Sequence, residues 1–274
     1  MTEPGRPRTA VVTGASSGIG EAFADVFAGE GYNLVLVARR EDRLHAVAAR
    51  LEQEHHIHAE VIVADLAEPG AGTRVFNEVS ARGLVIDALV NSAGYGMPGP
   101  YTRNTWEKHA AFLNVTIVAA TELTRLVVPG MTARRFGRIV NIASLAGFVP
   151  APAGHTLYAA SKAFLIKFSE ALAHEVVDQG VHVTAVCPGF TRSEFHDVTG
   201  TRKMVSRLPG FMWMDAAAVA RQGYAAVSAG RSVVLTGRVN ATIAFLARML
   251  PQRLVAAFNR RASKTYRDTS PTPT

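Results

Sequence analysis

The chain has 274 residues, 48% of them hydrophobic and 19% charged, the balance of a soluble globular protein with apolar material for one large core. Its one cysteine, Cys187, excludes an internal disulfide, and a reducing cytoplasm fits. The formal charge of +7 belongs to the end of the chain: six of the 29 basic residues fall within 248–267 with no acidic residue among them, leaving 23 basic against 22 acidic elsewhere.

The N-terminus, MTEPGRPRTAVVTG, passes from polar and turn-forming residues directly into an apolar run, so no signal peptide is expected. No stretch reaches the roughly 18 uninterrupted apolar residues of a spanning helix, so none is expected either. Seven short apolar runs rich in valine and isoleucine follow one another: 9–15, 33–38, 59–65, 85–94, 137–144, 181–189 and 232–237. They are continuous rather than alternating, which suits parallel strands covered on both faces. Between them lie helical patterns such as EDRLHAVAARLEQE (41–54), where Leu44, Val47, Ala48 and Leu51 form one apolar stripe. Strand and helix in alternation predict a Rossmann-type, doubly wound, seven-stranded parallel sheet in three α/β/α layers. The expected division is a single domain over 1–240 and an amphipathic basic extension over 241–274, with only TSPTPT (269–274) reading as disordered.

After the first strand, VVTGASSGIGEAFADVF sets Gly14, Gly18 and Gly20 at a strand-to-helix turn. A phosphate needs backbone N–H groups close by, no Cβ in the way, and the positive end of a helix dipole, so this turn suits a pyrophosphate. Glycines also serve plain turns and close packing, but here both the strand and the helix are present. At the end of the second strand, LVLVARRED has Ala38 where an acid would select a free 2′-hydroxyl, followed by Arg39 and Arg40. A guanidinium there suits a 2′-phosphate by charge and by forked hydrogen bonding, so NADP(H) is preferred and NAD(H) possible. Glu41 and Asp42 follow at once and could instead neutralise the arginines.

In HTLYAASKAFLIKF (155–168), Tyr158 and Lys162 stand at i and i+4 and share one helix face. An ammonium near a phenol favours the phenolate, so the pair predicts an acid or base of lowered pKa. A single such pair is more often a tyrosine at a helix start beside an exposed lysine. Ser144, however, closes the strand RIVNIAS at the carboxyl edge where open α/β sheets bind ligands, NSAG (91–94) ends the fourth strand at the same edge, and Asn114 lies in the helix between them.

At this point the sequence resembles the short-chain dehydrogenase/reductase family, over roughly residues 8–237. TGASSGIG (13–20), DL (65–66), NSAG (91–94), LNVT (113–116), IVNIAS (139–144), YAASK (158–162) and CPGFTRS (187–193) stand in family order and spacing. The resemblance implies that Tyr158 is the catalytic acid/base, that Lys162 lowers its pKa and holds the nicotinamide ribose, that Ser144 orients the substrate carbonyl, and that Asn114 holds a water in a relay to Lys162. It further implies a cofactor site of Gly14, Ser16, Ser17, Gly18, Ile19 and Gly20, with Asp65 and Leu66 at the adenine edge and Asn91, Ala93 and Gly94 on the adenosine-side ribose. Tyr158, Lys162, Pro188, Gly189, Thr191 and Ser193 would complete it at the nicotinamide end. Ser92 departs from a more usual asparagine and Ser193 from a threonine, each keeping a small polar group. The family is mostly dimeric or tetrameric, so a homo-oligomer is expected.

Phe148, Val149, Phe211, Met212, Trp213 and Met214 predict an apolar wall beside the cleft and a hydrophobic ketone, aldehyde or alcohol as substrate. His155 reads as a surface residue at a helix start, with a hydrogen bond near the site the alternative. The cluster EHHIH (54–58) straddles a helix end and a strand start without a matching ligand set, so no metal is expected. In ATIAFLARMLPQRLVAAFNRRASKTYR (241–267), Ile243, Leu246, Leu250, Leu254 and Phe258 keep helical spacing, with Pro251 a break. This segment can dock on the body or a partner subunit, or lie on an anionic membrane surface. Two rival functions stand beside the oxidoreductase: a cofactor-binding scaffold or sensor without turnover, and a protein recruited to a surface by its tail. No nucleic-acid motif is present.

Overall fold

The computed structural model describes residues 6–195 and 209–249. Its main sheet has seven parallel strands in the order β3-β2-β1-β4-β5-β6-β9. These are β1 Thr9–Thr13, β2 Asn33–Ala38, β3 Ala59–Val63, β4 Ile86–Asn91, β5 Gly137–Ile142, β6 Val181–Cys187 and β9 Val233–Leu235. Each coincides with one of the seven expected runs. A second, two-stranded parallel sheet of β7 Phe190–Arg192 and β8 Trp213–Asp215 was not foreseen, because three-residue strands leave no periodic signal.

The helices are α1 Gly18–Gly29, α2 Glu41–His55, α3 Ala71–Ala81, α4 Trp106–Leu113, α5 Ala119–Ala133, α6 Thr156–Val176, α7 Ala216–Ser228 and α8 Arg238–Met249. Alternate strand residues feed two cores. Ala10, Val12, Leu34, Leu36, Ala88 and Val90 pack against Phe23 and Phe27 of α1, Leu44 and Leu51 of α2 and Val219 of α7. Val11, Val35, Val37, Leu89 and Ile139 face the other way, against Val75 of α3, Leu123 and Met131 of α5 and Val176 of α6. Both faces of the sheet are therefore covered, which is why its strands read as unbroken apolar runs.

The strand order reverses between β1 and β4, and the carboxyl ends of these two strands flank the crevice where ligands bind in such sheets. Thr13 staples this point: its hydroxyl donates to the Val90 carbonyl at 3.2 Å and accepts from the Ser92 and Ala93 amides at 3.1 and 3.2 Å.

The helical run Trp106–Ala133 is long and apolar enough to cross a membrane by length and composition. Its apolar residues Val115, Leu123, Val127 and Met131 are buried against the sheet, so it serves as a core helix of the domain. Inside that run, residues Asn114–Val118 form a π-helical turn. At the other end, α8 starts at Arg238 and so runs across the domain boundary expected at 240. The rest of the expected basic extension, including Leu250, Pro251, Leu254, Phe258 and TSPTPT, lies outside the described residues.

Candidate active site

The first wall of the crevice is the glycine turn between β1 and α1. Gly14 has φ +68° and lies so close to the end of β4 that a Cβ there would meet Ala93 Cα at 2.9 Å. A Cβ on Gly20 would stand 2.3 Å from the Gly14 carbonyl, so α1 can pack on its own turn only without one. Gly18, at φ +62°, passes within 3.0 Å of Ser193 Cβ by the same measure, which brings the segment after β6 over the start of α1. Ser17 is the N-cap of α1, yet its side chain makes no capping bond. The first amides of α1 are thereby left for an anion, with the helix dipole behind them.

The Ser17 hydroxyl instead accepts from Arg40. The Arg40 guanidinium donates to Ser17 Oγ at 2.8 Å and to Ser16 Oγ at 3.0 and 3.2 Å, lying across the turn. Its remaining arm donates to Glu194 at 2.9 Å, and Arg43 reaches the other oxygen of that carboxylate at 2.5 Å. These two guanidinium groups hold the Glu194 carboxyl down at about 2. Arg39 points elsewhere, 3.8 Å from Asp65 and largely exposed. The acids that pair with the two arginines are thus Asp65 and Glu194, not the adjacent Glu41 and Asp42. Arg43 and Glu194 escaped the sequence reading because each looks like an ordinary surface charge until the fold brings them together over 151 residues.

Asp65 also accepts from the Ala67 amide at 2.9 Å, and Leu66 beside it is buried. The Asn91 side chain turns its amide group inward. Its side-chain amide donates to Asn141 Oδ1 at 2.8 Å, Thr124 Oγ1 at 3.1 Å and Ala120 O at 3.3 Å, with the residue 5% exposed. Facing the interior, that amide group ties β4 to β5 and α5, so any ribose contact from Asn91 does not come from it. The sequence could not separate these roles, since asparagine serves both.

The catalytic candidates meet at the opposite end of the crevice. Gly147, in the turn after β5, approaches α6 so closely that a Cβ would meet Lys162 C and Ala163 N at 2.8 Å. This approach, which the sequence did not reveal, sets Ser144 against α6. The Ser144 hydroxyl accepts from the Ala146 amide at 3.1 Å and lies 3.5 Å from the Pro188 carbonyl, and it hydrogen-bonds the Tyr158 phenol. Lys162, 7% exposed, donates to the Ile142 carbonyl at 2.8 Å, and its Nζ stands 5.7 Å from the centre of the Tyr158 ring. A Cβ on Gly94 would lie 4.0 Å from that Nζ, so the end of β4 borders the same space.

The direction of the phenol's shift corrects the sequence reading. Burial raises Tyr158, with only the Ser144 hydrogen bond acting to lower it. Burial likewise lowers Lys162 to about 8. Spacing predicted that the ammonium would depress the phenol, but both groups are desolvated together and that cost outweighs their interaction. His155 is not a surface bystander: its ring meets Tyr158 edge-on at 5.8 Å, and burial lowers its pKa. Phe195 lies at 5.8 Å on the same ring.

Asn114 opens the π-helical turn, and its amide donates to the Ala67 carbonyl at 2.8 Å while its backbone carbonyl accepts from Ala119. The side-chain Oδ1 and that carbonyl are what Asn114 has left for a water; such turns recur at functional sites. Beyond β6, Gly189 packs tightly on Asn240 of α8, and the buried Thr191 hydroxyl lies 3.3 Å from the Gly189 carbonyl. The expected apolar wall divides. Trp213 meets Phe190 at a tilt, ring centres 5.8 Å apart, Met214 packs on Gly237 and Asn240, Phe148 joins a small core with Leu165 and Ile166, and Phe211 is 70% exposed. Residues 196–208, which lead up to Phe211, lie outside the described residues.

The EHHIH stretch brings Glu54 and His55 beside Asp25, with ligand atoms within 4.8 Å of one another. Arg50 already stands among them, 3.0 Å from Glu54 and 3.7 Å from Asp25, and supplies the cation.

A family model described as short chain dehydrogenase matches residues 8–203. The chain belongs to the short-chain dehydrogenase family. Within it, the chain is 36% identical over 205 residues to a very-long-chain 3-oxoacyl-CoA reductase of Anas platyrhynchos, covering 72% of this chain and 64% of that protein. Among solved structures, this short-chain dehydrogenase is similar to one from Sphingobium yanoikuyae in complex with NADPH, at 31% identity and a TM-score of 0.75 over 97% of this chain and 98% of the other. It is also similar to a bulky-bulky ketone specific alcohol dehydrogenase from Comamonas testosteroni, at 28% identity and a TM-score of 0.73 over 97% of both chains.

Proposed function

We propose that this chain is an NADP(H)-dependent oxidoreductase that interconverts a hydrophobic ketone or aldehyde and its alcohol, with Tyr158 as the general acid/base. The observation that carries the reading is one arrangement: the Tyr158 phenol, hydrogen-bonded by Ser144 and one helical turn from the buried Lys162 ammonium, at the same sheet edge as a glycine turn with uncapped helix amides. The glycine turn fits a dinucleotide, because Gly14 and Gly20 leave room that a Cβ would fill. Gly14, Ser16, Ser17, Gly18, Ile19 and Gly20 would hold its phosphates, Arg40 its 2′-phosphate, and Lys162 its nicotinamide ribose.

The cofactor supplies or accepts the hydride. The residues supply the rest: Ser144 orients the carbonyl oxygen, and Tyr158 gives that oxygen a proton. Burial raises the phenol's pKa, so at neutral pH it carries the proton that reduction of a carbonyl needs. Lys162 replenishes the proton, with Asn114 placing a water behind it. Preference for NADP(H) is supported by Arg40 on the Ser16 and Ser17 hydroxyls and by the NADPH in the Sphingobium relative. A bulky hydrophobic ketone is supported by the names of the relatives from Comamonas and Anas.

The test is the loss of reduced-nicotinamide absorbance with a panel of long-chain 3-oxoacyl thioesters and bulky ketones. NADPH should be consumed with at least one, and silence across the panel with bound NADPH would favour the scaffold or sensor reading instead.

A cytoplasmic homodimer or homotetramer completes the proposal, with the segment 241–267 docking on the body or a partner subunit or, as the alternative, meeting an anionic membrane surface. Its supports are exposed Trp106, Val118 and Phe164 on the α4–α6 side and the outward-facing Phe245, Leu246 and Met249 of α8, which lead into the basic run. Sedimentation of the full chain with and without anionic vesicles checks both. A monomer that stays in the supernatant would remove both.

A further inference from the structure

A clasp of ion pairs lies across the glycine turn. Arg40 and Arg43 converge on one carboxylate, that of Glu194, which arrives from the segment just beyond β7, while Ser16 and Ser17 of the turn accept from the other side of Arg40. Two guanidinium groups suit a phosphate dianion, and a carboxylate between two arginines satisfies the same donors. Arg40 spends one face on the serines of the turn and its other arm on Glu194 at 2.9 Å. A second anion at this place must therefore share those donors or replace the carboxylate. Arg39 lies outside this clasp, facing Asp65 at 3.8 Å.

We propose that Glu194 competes with the cofactor's 2′-phosphate for Arg40 and Arg43, so that this carboxylate tempers the preference for NADP(H) over NAD(H). The inference rests on the NADP(H) reading above. NAD(H), which has a free 2′-hydroxyl, does not contest the clasp and gains nothing from its release. NADP(H) binds only by exchanging one anion for another, and part of its electrostatic advantage goes to that exchange. Glu194 is 41% exposed on its side chain and each of its ion pairs is solvent-accessible, so replacing it leaves the core untouched and alters affinity by a modest factor.

The test titrates the full chain and the variants Glu194→Gln and Glu194→Asp with NADPH, NADH and adenosine 2′,5′-bisphosphate by calorimetry. Glu194→Gln should tighten NADPH and the bisphosphate by roughly two- to tenfold, the range of partly exposed ion pairs, and leave NADH within about twofold. Glu194→Asp should stay near the native values. The proposal is overturned if Glu194→Gln leaves NADPH unchanged, if it tightens NADH equally, or if it weakens both, the last meaning that Glu194 clamps the bound dinucleotide. Equal affinity of the native chain for NADPH and NADH would overturn the cofactor reading and this inference together, whereas a native preference that ignores Glu194 removes only the inference.

Discussion

The two ends of the crevice contain the same kind of parts, a cation beside the groups it serves, in opposite surroundings. At the catalytic end, Tyr158 and Lys162 are desolvated together, and burial moves each toward its neutral form: the phenol up, the ammonium down to about 8. At the adenosine end, Arg40, Arg43 and Glu194 are each about half exposed, and pairing drives Glu194 further into its charged form. Burial stores chemical potential in the first pair, while the second is a screened electrostatic clasp that can exchange partners. Substitutions should separate the two ends sharply.

The largest effect is expected at the buried end. Tyr158→Phe removes one hydroxyl from a packed ring and should lower kcat/KM for ketone reduction by about a thousandfold, within the range for losing a general acid. Cofactor affinity should change little, because the ring and its contacts with His155 and Phe195 remain. Calorimetry with NADPH beside steady-state rates checks both halves. A variant that retains more than about a tenth of native activity would remove Tyr158 from the chemistry.

This comparison also marks what was legible in the sequence. All seven main strands stand where the apolar runs placed them, because a strand buried on both faces has no choice but to read as continuous valine, isoleucine and leucine. The glycine turn was legible for a similar reason, since positive φ at Gly14 and the Gly20 approach to the Gly14 carbonyl admit nothing larger. Spacing put Tyr158 and Lys162 on one face, but it could not report how wet that face is, and so the sign of the phenol's shift was misread. Asn91 shows a related limit: residue type fixes its donors, whereas the neighbours that take them, Asn141 and Thr124, come from β5 and α5. The clasp was hidden because Arg43 and Glu194 meet only in three dimensions.

The next effect is one of pH. The proposed reduction needs a charged Lys162 and a protonated Tyr158. With Lys162 held near 8 and Tyr158 above its usual value, kcat/KM for the free enzyme should be level through neutral pH and fall about tenfold per unit above pH 8, the lysine setting the limit. Stability should move the opposite way. A lysine depressed from 10.5 to about 8 destabilises the fold most fully below pH 8, where folded and unfolded chains both carry the charge. Between about 8 and 10.5 only the unfolded chain stays protonated, so this group's contribution becomes more favourable as pH rises. Denaturant titrations of Lys162→Met against the native chain should therefore show the balance shifting toward the native chain across that window, by no more than about 3 kcal/mol. A pH-independent difference would mean that the ammonium is better solvated than its 7% exposure implies.

The smallest effect belongs to the exposed end, and it tests which arginine reads the cofactor. Arg40 bridges the glycine turn to Glu194, whereas Arg39 is largely exposed and stands 3.8 Å from Asp65. Arg40→Ala should weaken NADPH by about tenfold at low salt while leaving NADH nearly unchanged, and Arg39→Asp should narrow the same gap by a smaller factor. Raising the salt should shrink the Arg40 effect, because charges this exposed are screened within about a Debye length. The contrast with Tyr158 lies in that salt response: a loss of proton transfer inside a buried site is indifferent to it. If Arg39→Asp instead cost more than Arg40→Ala, the 2′-phosphate would sit on the Asp65 side of the turn, and the clasp on Glu194 would be a surface ion pair with no part in reading it.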